Sequence, residues 1–204
     1  MKPAVVILAA GASERLGECK ALVELGGHSA VLRLIRAAGL ACAEEICVVG
    51  GAHHDLIATE LERAPHDPRV RLLHNTGWRA GRSGSLALAA AALPGRALLV
   101  APVDVPLVST GVFECLFRAW AEAGDPPRGW LAPYVEPGRR HGHPLILGRE
   151  LAAELSAGEA RAPLRQMRAL AVPLWGVRVF DPAILDDLDT QADLARLRER
   201  LSSG

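Results

Sequence analysis

Val5 to Leu8 and Ala97 to Val100 are apolar at every position, without the alternation expected of a strand that keeps one face in water. Such strands need cover on both faces, and a parallel sheet between two layers of helices provides it. "AVVILAA" and "RALLVAPV", which contain these runs, are accompanied by "EEICVVGG", "VRLLHN", "GWLAPYV", "HPLIL" and "WGVRVF", all of strand length. Helical spacing or strong helix formers lie between most of them, at Ala30 to Ala41, His54 to Arg63, Ser83 to Leu93, Ser109 to Ala123, Arg149 to Leu155, Pro163 to Leu170 and Thr190 to Leu201. "DTQAD", a Thr followed three residues later by Asp, approximates a capping box at the start of the last helix. An α/β chain in three layers, α/β/α, follows.

With 204 residues, half of them apolar, the chain is long enough for one good core and short for two, so residues 1–204 are expected to form a single domain. The Pro- and Gly-rich stretches "GDPPRG" and "YVEPGRRHGHP" read as surface loops of that domain. Basic and acidic side chains balance at 23 each, which argues against a nucleic-acid or anionic-membrane surface and makes any anion site local. Cys19, Cys42, Cys47 and Cys115 form no C-x-x-C pair and suggest free thiols rather than zinc or disulfide chemistry. "MKPAVVILAAG" breaks into Gly and charge too soon for a signal peptide or a membrane span, so a soluble cytoplasmic protein is expected.

Open α/β sheets bind ligands beyond the carboxyl ends of their strands, and the loop after the first strand is the usual phosphate contact. Here that loop lies in "ILAAGASERLGECKALVELGG". Gly11 admits close approach of a ligand to the backbone, and the amides of Ala12 and Ser13 can then face an anion. Arg15 and Lys20 add a planar cationic fork and a compact point charge. Gly11, Gly17 and Lys20 fit neither G-x-G-x-x-G nor G-x-x-x-x-G-K-[ST], which disfavours a nicotinamide or Walker-type site. On loop chemistry alone, a turn with solvated charges competes with an anion site.

"LAAGASERLGECK" resembles the L-A-[AG]-G-x-S-x-R-[ML]-G-x-x-K signature of the molybdenum cofactor nucleotidyltransferases, and the chain is most similar to their cytidylyltransferase branch. "NTGWRAGRSGSL" resembles that group's N-x-x-W-x-x-G-x-S-x-S-[IL] segment, through Asn75, Trp78, Gly81, Ser83, Ser85 and Leu86. "APVDVPLV" resembles its metal-binding D-x-P turn at Asp104 and Pro106, "HGHPLIL" its R-G-H-P-V-L-F segment, and "DPAILDDLDTQADL" its acidic ending with Asp187 and Asp189. Leu16 and Arg82 stand where Met is usual, and His141 where Arg is usual.

The resemblance implies a Rossmann-like nucleotidyltransferase fold with a mostly parallel mixed sheet. It also implies an Mg²⁺-dependent transfer of CMP from CTP to the terminal phosphate of molybdenum-carrying molybdopterin, with release of pyrophosphate. Arg15, Lys20 and Asp104 would carry the chemistry, and Asp104 and Asp189 would hold the metal. Leu8, Ala9, Ala10, Gly11, Ala12, Ser13, Asn75, Gly81, Ser83 and Ser85 would bind the nucleotide, and His143 and Pro144 the acceptor. A molybdenum hydroxylase or its maturation factor would receive the product. "LAAG" at Leu8 to Gly11, where the guanylyl branch tends to carry L-A-G-G, leans with Ser83 and Ser85 towards CTP.

The acceptor that the resemblance implies would be a phosphate monoester with a second pKa near ~6, already largely ionised at neutral pH, so the lack of an obvious catalytic base would be no obstacle. Plainer roles compete for several residues. Asp104 could shape a turn, Asp187 and Asp189 could favour a helix dipole, Ser83 and Ser85 could cap a helix, and Trp78 could be packing. Three other functions share parts of the pattern: transfer to a sugar phosphate or phosphorylated alcohol, or from GTP; a non-catalytic carrier of the finished pterin cofactor; and a nicotinamide oxidoreductase, which the missing glycine fingerprint weakens.

Overall fold

The computed structural model describes residues 1–157 and 164–202. Ten strands are present among them: β1 Ala4–Ala9, β2 Glu24–Leu25, β3 His28–Ser29, β4 Ile46–Gly50, β5 Val70–His74, β6 Leu98–Pro102, β7 Trp130–Val135, β8 Arg140–His141, β9 Leu145–Leu147 and β10 Leu174–Arg178. The helices are α1 Ala30–Leu40, α2 His54–Arg63, α3 Arg82–Ala92, α4 Thr110–Glu122, α5 Arg149–Ala157, α6 Leu164–Ala169 and α7 Gln191–Ser202. All seven apolar runs became strands, and each expected helix lies within about two residues of its expected limits. The Pro163 start expected for α6 lies outside the described residues.

One mixed sheet has the order β10-β7-β9-β6-β1-β4-β5, with β8 added beside β7. β1 pairs in parallel with both β4 and β6, in the registers Val5↔Ile46 and Val5↔Leu99, while β9 runs antiparallel to β6 and β7. The chain thus moves outward from β1 on one side through β4 and β5, then returns to fill the other side with β6. The strand order reverses at the β1/β6 junction, where an open α/β sheet forms its ligand crevice.

The runs without alternation are explained by the packing. Val5, Ile7 and Ala9 of β1 meet a layer containing Leu34 of α1, Phe113 and Leu116 of α4 and Leu197 of α7. Ala4, Val6 and Leu8 point the opposite way, to Leu86 and Ala89 of α3 and Leu155 of α5. Burying each large apolar side chain contributes about 1.5–3 kcal/mol, so two covered faces hold β1 firmly in the middle of the sheet.

Two short features were not anticipated. Gly26 and Gly27 at φ +61° and +79° join β2 to β3 in a two-residue hairpin, and "ELGGHS" carries the Gly-Gly signal for it. β8 occupies part of the stretch read as a loop.

The C-terminal helix begins as expected. Thr190 Oγ1 accepts from the Asp193 amide at 3.3 Å, and Asp193 Oδ2 accepts from the Thr190 amide at 2.9 Å and its hydroxyl at 2.8 Å. These bonds and Arg196 hold the Asp193 carboxyl down at about 2. Because the folded value is depressed, the stabilisation is complete above the ordinary Asp range and is lost as pH falls from about 4 towards 2. Asp193→Ala is expected to lower stability by about 1 kcal/mol near neutrality. Urea unfolding should show that deficit at pH 7 and much less of it at pH 2.5.

Candidate active site

Beyond the carboxyl ends of β1 and β6 lies a cavity of about 390 Å³, a size suited to a small ligand. The segment after β1 forms one wall. Ser13, at φ +58°, is the pivot: its carbonyl accepts from the amides of Leu16 and Gly17 at 3.1 Å, and its hydroxyl accepts from the Lys20 amide at 3.1 Å. Wrapping the loop around its own serine turns the Gly11, Ala12 and Ser13 backbone towards the cavity. Among the described residues no protein acceptor meets those three amides, which makes them donors available to an anion.

The loop is braced from β4. The Ala52 amide donates to the Ala10 carbonyl at 3.1 Å, and His53 Nε2 lies 3.1 Å from the Ala12 carbonyl. Gly51 makes this approach possible, because a Cβ there would sit 2.4 Å from the Ala10 carbonyl oxygen and 2.8 Å from Trp78 Cβ.

Asp104 forms the opposite wall, just past β6. Its carbonyl accepts from the Leu188 amide at 2.7 Å, which draws the Asp187-Leu188-Asp189 segment across the cavity mouth. The turn just before it, Pro182–Leu185, is joined to the "HGHP" loop, where the His143 amide donates to the Ile184 carbonyl at 3.0 Å. Gly142 is required there, since a Cβ would lie 2.1 Å from the Ile184 oxygen.

Charges meet across this mouth in pairs. Lys20 donates to Asp189 Oδ1 across 169 residues of sequence, and Arg15 Nη2 lies 2.9 Å from Asp189 Oδ2. The hydrogen bond from Lys20, outweighing burial, and the two positive charges hold the Asp189 carboxyl below its ordinary range. Arg82 Nη2 donates to Asp104 Oδ2 at 2.7 Å. The Asp187 carboxyl is raised, chiefly by burial and then by the negative charges of Asp104 and Asp189. His143 is lowered, mainly by burial, and among the described residues its buried Nδ1 has no hydrogen-bond partner.

The structure brings most of the expected residues together. Leu8 to Ser13, Arg15, Lys20, Gly81, Ser85 and Asp104 line the cavity, while Ser83, His143 and Pro144 are not part of its lining. Asn75 is buried beside it, with its Nδ2 donating to Ser85 Oγ at 2.8 Å and its Oδ1 accepting from the Gly77 amide at 3.0 Å. It therefore acts on the cavity through Ser85. Sequence reasoning gave no role to Arg79, whose guanidinium stacks over Trp78 at 4.6 Å, or to Arg82 as partner of Asp104. The one signal for Arg82 was a charged residue where the similar group carries Met.

Gly51→Ala should push the loop away from β4, with a stability loss of about 1–3 kcal/mol by urea unfolding. Titration with a nucleoside triphosphate is expected to show weaker binding as well, because the three free amides move with Ala10.

Comparison with known proteins agrees with this architecture. The model of the MobA-like NTP transferase domain matches residues 5–174. No curated protein matches the chain. Among solved structures, a nucleotidyl transferase from Methanothermobacter thermautotroptrophicus superposes with a TM-score of 0.81 at 23% identity, covering 99% of this chain and 98% of that one. Rv0371c of Mycobacterium tuberculosis, in complex with manganese, gives 0.73 at 19% identity, with 98% of each chain covered. Molybdopterin-guanine dinucleotide biosynthesis protein A from Archaeoglobus fulgidus gives 0.70 at 20% identity, with 98% and 99% covered. At these identities the likeness establishes the fold.

Proposed function

We propose that this chain, which belongs to the family of MobA-like NTP transferase domains and is a nucleotidyltransferase, transfers CMP from CTP to the terminal phosphate of a molybdopterin carrying molybdenum. The observation that carries this reading is the two-sided cavity, with free amides, Arg15 and Lys20 on one wall and the Asp104 carboxylate on the other. Residues 1–204 act as one domain in it.

The triphosphate lies along the Gly11 to Ser13 amides, with Lys20 and Arg15 on its oxygens. Arg15 is 71% exposed in its pair with Asp189, and an exposed pair is worth only about 0–1 kcal/mol. A charge-assisted hydrogen bond to phosphate contributes about 1.5–3 kcal/mol, so leaving Asp189 for the nucleotide is favourable for Arg15. Lys20, only 14% exposed, is fixed in place and needs little reorganisation.

A divalent cation fits the donor set. Asp104 and Asp187 are hard oxygen donors, and Asp187 bears the unfavourable negative charge of its neighbours. Asp104 would hold the ion, with Asp187 to assist; Asp189, expected as the second ligand, is paired with Lys20 and Arg15 and would orient them. When bound, Mg²⁺ or Mn²⁺ supplies charge stabilisation to the phosphate oxygens. An oxygen of the acceptor phosphate attacks the α-phosphorus, the bond to the bridging oxygen breaks, and pyrophosphate leaves. No proton need be removed. His143, biased to its neutral form by burial and with Nδ1 unpartnered among the described residues, would contact the acceptor beside Pro144.

For base choice, Ser85 Oγ accepts from Asn75, which leaves its own O–H to donate into the cavity. Such a donor can meet an acceptor on either base, and Ala10, where the guanylyl branch tends to carry Gly, supports cytosine.

Incubation with each NTP, Mg²⁺ and molybdenum-loaded molybdopterin, followed by mass, should yield the CMP adduct and pyrophosphate. CTP should be preferred over GTP by at least about tenfold in kcat/KM, about 1.4 kcal/mol. Equal use of GTP would remove the base assignment, and product only with another phosphorylated acceptor would reassign the substrate. Asp104→Ala should cost about a hundredfold or more in turnover with an unchanged melting curve; activity retained at saturating Mg²⁺ contradicts its role. Lys20→Ala should raise the KM for CTP, and an unchanged CTP response would count against the phosphate contact.

A further inference from the structure

We propose that Arg82 is an exchangeable counter-ion that makes divalent-cation and nucleotide binding to this cavity depend on each other. The inference rests on the nucleotidyltransferase reading of the cavity and concerns a residue to which that reading gives no part.

Arg82 is the first residue of α3, following Gly81 at φ +107°. A cation at a helix N-terminus meets the positive end of the helix dipole, so its placement is unfavourable unless an anion is at hand. The anion in this structure is Asp104, at 2.7 Å. The arginine side chain is 66% exposed and the aspartate 14%, so the mobile member of the pair is Arg82. It lines the same cavity as Lys20 and Arg15, and its charge is felt by Asp187 and His143.

This pairing sets the order of events. A divalent cation arriving alone must displace Arg82 from Asp104, and the guanidinium is then left over a helix N-terminus without its anion. A nucleotide arriving alone brings polyphosphate towards Asp104, Asp187 and Asp189 without a cation to mask them. When both arrive, the ion takes Asp104 and Arg82 turns to a phosphate oxygen, where its planar fork makes charge-assisted bonds. Each ligand removes the obstacle to the other, and the coupling must be the same in both directions.

The test is Mn²⁺ titration read by water-proton relaxation enhancement, which reports protein-bound ion. It is run on wild type, Arg82→Met and Arg82→Lys, with and without a CTP analogue carrying a methylene α–β bridge. Wild type should bind Mn²⁺ weakly alone and at least about tenfold more tightly with the analogue. Arg82→Met should bind Mn²⁺ alone more tightly than wild type, lose most of the enhancement by the analogue, and bind the analogue more weakly in the presence of the ion. Arg82→Lys should keep part of the coupling. A superimposable melting curve for Arg82→Met excludes misfolding as the cause. If Arg82→Met matches wild type in both its Mn²⁺ affinity and its enhancement, Arg82 is only a surface pair and the proposal is wrong. Wild type that binds neither Mn²⁺ nor the analogue overturns this proposal together with the reading beneath it.

Discussion

β1 is hydrogen-bonded along both edges and buried on both faces, and this confinement governs everything above it. A strand held on four sides can release its chain only at its ends. At the carboxyl end that release occurs beside β6, at the point where the strand order reverses, so the loop after Ala9 and the turn at Asp104 are delivered to the same place. The contact of Ala10 with Gly51 then fixes the height of the loop, and Ser13 fixes its direction. The site is a consequence of sheet order, with little of it left to loop flexibility.

Electrostatics makes the free cavity self-contained. Asp189 answers Lys20 and Arg15, and Asp104 answers Arg82, so opposite charges are matched before any ligand arrives. Pairs with one well-exposed partner are weak enough to be exchanged, whereas the more enclosed Lys20 stays where the fold puts it. A polyphosphate with its cation would offer these charges a stronger arrangement, with phosphate oxygens on the basic side chains and the ion on Asp104. The Asp187 carboxyl is raised, first by burial and then by the negative charges of Asp104 and Asp189.

The sequence made the layers legible because hydrophobic burial leaves a pattern in single residues. The unbroken runs at Val5 to Leu8 and Ala97 to Val100 could be satisfied only by double cover, because strand neighbours such as Val5 and Val6 point to different helical layers. The capping box at Thr190 and Asp193 was equally local and equally readable. The charge pairing was not, since Lys20 and Asp189 meet from opposite ends of the chain and no spacing rule connects them. Asn75 shows the same limit in another form. The resemblance implied a nucleotide contact for it, but its amide is engaged by Ser85 and Gly77, contacts that depend on how α3 docks on the sheet.

The proposed transfer requires a polyphosphate held between the amides after β1 and a cation on Asp104. A crystal structure with a non-hydrolysable CTP analogue and Mn²⁺ tests this most directly. Phosphate oxygens should lie within hydrogen-bond reach of the Ala12 and Ser13 amides and Lys20 Nζ, and the anomalous signal of the ion should fall on Asp104. A nucleotide seated elsewhere, or manganese density away from Asp104, would contradict it.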